Sequence, residues 1–460
     1  MQDTDQNSAV NRRDFLRGSS MATLMTMMGG VELFAQSADK PADAAPAGSK
    51  VRLAVIGCGA WGREVLKMLG SQKLSEVAAL CDIYEPAMRK CSTDAPGVKL
   101  VADYNELLAD KTIKAVIIAT PTHQHRDIAL AAIKAGKHVY CEAPLAHTIE
   151  DARDIARAAK AAPKQIFQSG LQMRSDKQRL FLMPFISSGS LGNWVMARAQ
   201  WHRMESWRAS SSNPERALAI NWRLSRATSL GLMGEVGIHQ LDQVGWFLKS
   251  RPKAVTGFGS LVQWKDDGRD VADTIQAVFE FPKGVRYSYD ATLANSFETD
   301  YETYSGSYAA VMMRGSKAWM FKEVDSPLFG WEVYAKKEEF QNATGITLMV
   351  GASKQESFTA KPSAEAILAA TPIYQALGNF LKNVYEQDAK IQSFVESYGE
   401  PDTPELDSQL MAELEKETVS RRAKFASAND GFHATVTAIK ANEAIVTGQR
   451  IELKDEWYQL

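Results

Sequence analysis

Cysteine is scarce in this chain: Cys58, Cys81, Cys91 and Cys141 are the four among 460 residues. None stands in a Cys-x-x-Cys pair or at a zinc spacing, which excludes a zinc ribbon and a disulfide-stapled scaffold. An excess of one charge is also missing. The formal net charge is −2 and there is no basic stripe, so no nucleic acid or anionic membrane is expected as a partner. No apolar run suits a stable membrane span; "SSMATLMTMMGGVELFA" is broken by Gly29, Gly30 and Glu32. Internal repeats are absent as well. What remains is an ordinary globular composition, 45% apolar and 23% charged, with room for two or three domains.

The amino-terminal "NRRDFLRGSS", with Arg12 and Arg13 ahead of Phe15 and Leu16, resembles a bacterial twin-arginine export signal. It is read as a signal peptide over residues 1–36, followed by a flexible linker over 37–50, "SADKPADAAPAGSK" included. Such substrates fold before export, so buried free thiols are expected rather than disulfides. Cys141 as a nucleophile lacks a legible partner.

"VRLAVIGCGAWGREVLKMLG" opens the folded part. An apolar strand leads into Gly57, Gly59 and Gly62, then a helical pattern that takes in Ala60 and Trp61. The first glycine allows a tight turn, the second a close approach to a pyrophosphate, the third close helix–strand packing. The helix N-terminus offers free N–H groups to the phosphates. A second strand, "VAALCD", ends at Asp82, which is placed to accept hydrogen bonds from ribose hydroxyls and would repel a 2′-phosphate. Ile83 follows it instead of a basic residue, so NAD is favoured over NADP. Strands and helices then alternate through "KAVIIATP", "KHVYCEAP" and "QIFQSGLQ". Thr148 is a candidate N-cap for the helix "TIEDARDIARAAKAA". The alternation predicts a doubly wound parallel sheet over 51–175, with ligands beyond the carboxyl ends of its strands.

The run "ATPTHQHRDIALAAIKAGKHVYCEAPLAHTIEDA" resembles the glucose–fructose oxidoreductase and inositol dehydrogenase superfamily (Gfo/Idh/MocA), whose members usually read Ala-Thr-Pro-x-x-x-His, then Ala-Gly-Lys-His-Val, then Glu-Lys-Pro. The resemblance extends from Val51 to Leu460. It implies that Thr120, Pro121, His123 and His125 line the cofactor, that Glu142 and Ala143 lie at the nicotinamide ribose, and that Gln172 is nearby. It implies a second, α+β domain with a large open, mostly antiparallel sheet, read over 176–355. One face would cover the nicotinamide and the other would support a homodimer or homotetramer. Strand-rich stretches agree: "TIQAVFEFPKGVRYSYDATL" reads as two strands about a Pro-Lys-Gly turn, and "AAVMMRGSKAWMFKE" as a hairpin about Gly315. Residues 356–460 read as helices packing back on the core.

"GLMGEVGIHQLDQVGWFL" has helical periodicity. Glu235 and His239 are four apart, hence expected on one face and in hydrogen-bond reach. The family presents an acid and a histidine to the substrate from this helix. A carboxylate-oriented histidine suits general-base work. Trp222 and Arg223 in "NWRL" resemble an exported subgroup, which implies that they border the substrate or the nicotinamide. One departure stands out: Ala143 occupies the place of the family's lysine, which shares proton transfer with the histidine. His239 tuned by Glu235 is the expected sole base, with Tyr301, Tyr304 and Lys137 as weaker substitutes. A metal site from Glu235, His239 and His202 or His123 lacks a fixed third ligand, and no metal is predicted.

An exported enzyme finds no free NAD, so the cofactor must travel bound and be recycled in place. The expectation is a carbohydrate-acting NAD enzyme of the periplasm, either a sugar oxidoreductase or a redox-neutral glycosidase working through a 3-keto sugar. The alternatives are a non-catalytic NAD- or sugar-binding protein and a metal-dependent epimerase or isomerase.

Overall fold

The computed structural model describes residues 50–330, 332, 335–340, 343–348, 370–421 and 425–460. The twin-arginine segment, nearly all of the linker and most of the stretch joining the sheet to the carboxyl-terminal helices lie outside the described residues.

The first half is built from β1 (Val51–Ile56), α1 (Ala60–Gly70), β2 (Ser75–Cys81), α2 (Glu85–Ser92), β3 (Lys99–Val101), α3 (Tyr104–Ala109), β4 (Ala115–Ile118), α4 (His125–Lys134), β5 (His138–Cys141), α5 (Ile149–Lys160) and β6 (Phe167–Ser169). The six strands are parallel, in the order β3-β2-β1-β4-β5-β6. Their near-continuous apolar sequences suit burial on both faces. Leu53, Val55 and Ile117 face α1, whereas Ile56, Val116 and Ile118 face α4 and α5. Strand order reverses between β1 and β4, which opens a crevice at their carboxyl ends. Thr148 caps α5, its hydroxyl accepting from Asp151 N–H at 3.1 Å.

The second half holds α6 (Lys177–Ser187), β7 (Trp194–His202), α7 (Pro214–Ile220), α8 (Ile238–Leu248), β8 (Ala254–Ser260), β9 (Thr274–Glu280), β10 (Arg286–Thr292), β11 (Asp300–Gly306), β12 (Ala309–Arg314), β13 (Lys317–Lys322), β14 (Lys337–Phe340) and β15 (Ala343–Thr347). With β16 (Ile451–Glu452) these strands make a ten-stranded sheet, β14-β15-β13-β12-β11-β7-β10-β9-β8-β16. It is antiparallel except where β7 and β10 run parallel. The Pro-Lys-Gly turn joins β9 to β10, and Gly315 turns β12 into β13.

One face of this sheet, with Phe279, Tyr287, Tyr289 and Tyr304, is buried under α6 and α8. The carboxyl-terminal helices α9 (Pro372–Tyr398), α10 (Pro404–Arg421) and α11 (Ala428–Thr447) return to the core. Phe380 of α9 covers α1 and β1. Helix α11 serves both halves: Phe432 and Val436 enter the nucleotide-domain core, whereas Ala438, Ala441 and Ile445 enter the sheet core. Two buried leucines, Leu410 and Leu414, fix the otherwise polar α10 against Phe394.

The stretch from Gly231 to Leu248 is not one regular helix. Met233–Gly237 forms a π-helical turn that feeds α8. Gly237 permits the approach of this turn to the sheet: a Cβ there would sit 2.7 Å from the Tyr289 ring.

Candidate active site in the interdomain cleft

Four loops meet at the carboxyl edge of the parallel sheet. The loop after β1 is fixed by Gly57 N–H donating to Cys81 carbonyl at 2.8 Å. Gly57 has φ +101°, and a Cβ there would strike the Ala119 carbonyl at 2.6 Å, so only glycine fits. At Gly62 a Cβ would lie 1.9 Å from the Gly57 carbonyl. At Gly59, in contrast, a Cβ would meet nothing within 4 Å. That open side faces outward at the start of α1, where Ala60 and Trp61 begin a helix with no side-chain cap. Free N–H groups and open space suit a pyrophosphate.

The Asp82 carboxylate accepts from Cys58 N–H and Tyr84 N–H, both at 2.8 Å. Two backbone donors thus hold the acid at the ribose position. Ile83 beside it is 80% exposed.

The loop after β4 carries Thr120 and Pro121 into a short turn, Thr122–Gln124. The Thr120 hydroxyl is buried without a partner. The expected cofactor contact from His125 needs correcting. The side chain is 1% exposed. Its Nδ1 and Nε2 lie 2.9 Å from the carbonyls of Pro144 and Thr120. Burial pushes its pKa down to about 4. As a neutral imidazole His125 donates its single N–H to one of these carbonyls while the other nitrogen lies against the second, so the ring is enclosed between the β4 and β5 loops and offers no free group to a ligand.

Glu142, after β5, is buried, with Oε1 unpartnered. Burial lifts its pKa to about 7, against hydrogen bonds from the Trp61 side chain and the Ala143 N–H. Gly170 makes room for it, since a Cβ there would lie 2.5 Å from Oε2. Gln172 opens the turn that follows. Unpartnered buried polar atoms at Thr120 and Glu142, the vacant side of Gly59 and the anchored Asp82 together fit a dinucleotide.

The second domain closes the cleft through Glu235. Its Oε2 accepts from the Thr122 hydroxyl at 3.0 Å, and its Oε1 from Ser229 Oγ at 3.1 Å and Leu230 N–H at 3.3 Å. Burial raises its pKa, offset in part by the nearby Arg223 charge. The expected Glu235–His239 pair is not formed. The π-helical turn widens the helix between them, and both Glu235 oxygens are committed elsewhere. His239 Nδ1 is unpartnered. Burial, then the Arg179 charge, holds its pKa down at about 4. It is a neutral imidazole without a carboxylate behind it.

Trp222 and Arg223 pack together beside the same loops, with Trp222 buried. The guanidinium lies 4.3 Å from the Trp222 ring centroid. Trp222 in turn meets the His123 ring at 6.4 Å, and His123 meets His147 edge-on at 6.2 Å. The Nδ1 atoms of both histidines are buried and unpartnered. The sequence by itself does not single out His147. Its one sequence signal is its place four residues after Ala143, in the loop that ends β5.

The weaker substitutes for the lysine lie elsewhere. Lys137 donates to the carbonyls of Asp110 and Ile113, at 2.7 and 2.9 Å. Tyr304 is buried against Glu302 and Gln243. Tyr301, on the opposite face of the sheet, lies under Arg198 and Arg314. His202 pairs with Asp290 at 2.7 Å on the sheet, away from Glu235. Among the described residues no group of three or more His, Cys, Asp or Glu could hold a metal. The four cysteines are buried free thiols. Burial and the Glu142 charge push the Cys141 thiol far up, so it offers no thiolate.

The profile of the oxidoreductase family with an NAD-binding Rossmann fold matches residues 51–170, and that of the GFO/IDH/MocA carboxyl-terminal domain matches 182–316. The chain belongs to the Gfo/Idh/MocA oxidoreductase family. It is an NAD-dependent oxidoreductase. Among curated relatives it is 29% identical over 253 residues to inositol 2-dehydrogenase of Salmonella typhimurium, covering 52% of this chain and 69% of that one. It is 28% identical over 208 residues to 1,5-anhydro-D-fructose reductase of Ensifer adhaerens, covering 45% and 59%. Levoglucosan dehydrogenase in complex with NADH shares the fold, with a TM-score of 0.64 at 16% identity over 88% of this chain and 99% of that one. An oxidoreductase domain protein from Kribbella flavida matches equally, with a TM-score of 0.64 at 17% identity over 88% and 100%.

Proposed function

We propose that this oxidoreductase acts on a carbohydrate and oxidises a sugar hydroxyl in the interdomain cleft. The observation that carries the reading is the Thr122–Glu235 hydrogen bond. It ties the π-helical turn to the loop after β4, the loop whose His123 also meets Trp222. Bound NAD supplies the hydride acceptor. Trp222, buried between Arg223 and His123, shapes the wall of the sugar site. Glu235, whose two oxygens already accept from the Thr122 and Ser229 hydroxyls and the Leu230 N–H, orients rather than accepts the substrate proton. His239 is neutral at physiological pH and takes the hydroxyl proton, in the absence of a lysine at Ala143. The similarity to an inositol dehydrogenase and an anhydrofructose reductase supports a polyhydroxylated substrate.

The twin-arginine segment supports export to the periplasm with the cofactor aboard. The outward face of the ten-stranded sheet, with Met196 and Val278 exposed, offers a surface for a homodimer or homotetramer. Two fates of the oxidised sugar are compatible with this cleft: release as the keto sugar, or loss of its C1 substituent before the redox change is reversed. The test is an absorbance spectrum of the purified full chain, loaded with NAD, before and after a panel of free sugars and glycosides. Growth of the reduced-nicotinamide band with a keto sugar as product supports the oxidoreductase. Free sugar released from a glycoside without net reduction supports the redox-neutral glycosidase. A loaded protein that neither reduces NAD nor changes any sugar refutes catalysis and leaves a binding protein.

A further inference from the structure

Residues between β7 and the π-helical turn leave the sheet domain, cross to the nucleotide domain and return. The base of this excursion is firmly held. Ala209 N–H donates to Asn221 Oδ1 at 2.8 Å, and Asn221 Nδ2 returns a bond to the Ala209 carbonyl at 2.9 Å. The turn around Asp267 secures both ends. Arg269, nearly buried, bonds Asp267 and the Ser206 carbonyl. Arg226 N–H donates to Asp270 at 2.7 Å, and Asp270 N–H to the Leu224 carbonyl at 3.1 Å.

The tip is different. Helix α7 buries none of its residues. Its guanidinium at Arg216 stands 3.9 Å above the centroid of the Tyr84 ring. Tyr84 belongs to the nucleotide domain, and its own N–H holds the Asp82 carboxylate. So a cation from the sheet domain rests on an aromatic ring one residue beyond the exposed Ile83, at the ribose-binding end of the groove. Near the other end of the groove the same excursion places Trp222 against His123.

We propose that α7 forms the outer wall of the adenosine subsite, latched by the Arg216–Tyr84 contact, and that Arg216 is a cofactor-retention residue supplied by the substrate domain. The inference rests on the assignment of NAD to this groove and not on the identity of the sugar. The cofactor cannot leave by its adenosine end until the tip lifts, and the tip is held at that point by the cation over the ring. Arg216 acts through Tyr84, so it is a positioning residue. Its signature is a dissociation rate.

The test uses the full chain and measures release of NADH, and of reduced nicotinamide mononucleotide (which lacks the adenosine), by stopped-flow nicotinamide fluorescence. Arg216→Ala and Tyr84→Ala are expected to speed NADH release roughly two- to fivefold, the worth of one exposed cation–π contact. Arg216→Lys and Tyr84→Phe, which keep a cation and a ring, should stay close to wild type. Release of the mononucleotide should not change in any variant. Unchanged melting temperatures confirm that the variants are folded. Wild-type NADH release from both alanine variants overturns the latch, as does equal acceleration of the mononucleotide. A wild-type chain that binds no NADH overturns the cofactor assignment itself, and the latch with it.

Discussion

Glu142 is costly to ionise where it stands. Its folded pKa, about 7, lies above the ordinary value of 4.5. The folded protein therefore binds the proton more tightly than the unfolded chain does. The associated stability is fully present below about pH 4.5 and is lost as pH rises through 7. Glu142→Gln should melt close to wild type at pH 4.5 and progressively above it towards pH 8. The gain should reach at most about 3 kcal/mol in the apo protein. Thermal melts across that range check the slope as well as the size. His239 has the opposite sign. Its folded pKa is depressed to about 4, so its contribution is present above the unfolded value of 6.5 and lost as pH falls through 4. As the proposed base it is already neutral at pH 7. His239→Ala should lower the rate of hydroxyl oxidation roughly 10²–10⁴-fold and leave NADH affinity unchanged in a fluorescence titration. An affinity loss matching the rate loss would assign it to cofactor binding instead.

At the scale of elements, the π-helical turn decides the chemistry. A regular helix would have aligned Glu235 with His239. The wider turn sends Glu235 to Thr122 and leaves His239 alone. Its packing needs Gly237, whose missing Cβ leaves room for Met233 and Tyr289. Tyr289 is fully buried and anchored in β10, so it cannot retreat cheaply. Gly237→Ala should cost about 1–3 kcal/mol of stability, the usual penalty for overpacking, measured by urea unfolding. It should also weaken the Thr122–Glu235 bond, lowering turnover more than NADH affinity. The periodicity of this stretch announced a helix, and nothing in the hydrophobic pattern distinguishes a 3.6-residue turn from one slightly wider. Helix α7 is silent in the sequence for a related reason: it buries no residue, so it has no apolar stripe.

For the whole molecule, the two halves are joined by a buried ion network. Arg174, at the end of the nucleotide domain, bonds both oxygens of Asp242 in α8 at 2.8 Å and Asp430 in α11 at 3.0 Å. Removing one member strands charges in the interior. Arg174→Ala should cost about 3–5 kcal/mol, seen as a lower urea midpoint. Because α11 enters both cores, the halves should still unfold together in this variant. Two separate transitions would show that Arg174, rather than α11, couples them.

Much of this protein was legible in its amino-acid order. The glycines at 57, 59 and 62, the acid at 82 and the alternation of strands and helices specify a parallel sheet with a dinucleotide at its carboxyl edge. Each is a local pattern with a local physical cause. The short motifs read Glu142, Trp222 and His239 as one site; the structure joins the loop after β4 to the π-helical turn through Thr122–Glu235 and to Trp222 through His123. What the order of residues does not carry is the direction of individual side chains. His125 reads as a ligand contact, but its ring is enclosed between the carbonyls of Thr120 and Pro144, brought together by the loops after β4 and β5. Glu235 reads as a partner for His239 but bonds a threonine 113 positions away. His147 and Arg216 gained their surroundings only when distant loops converged. Hydrogen bonding and burial depend on what arrives from elsewhere in the chain, and only the tertiary structure decides that.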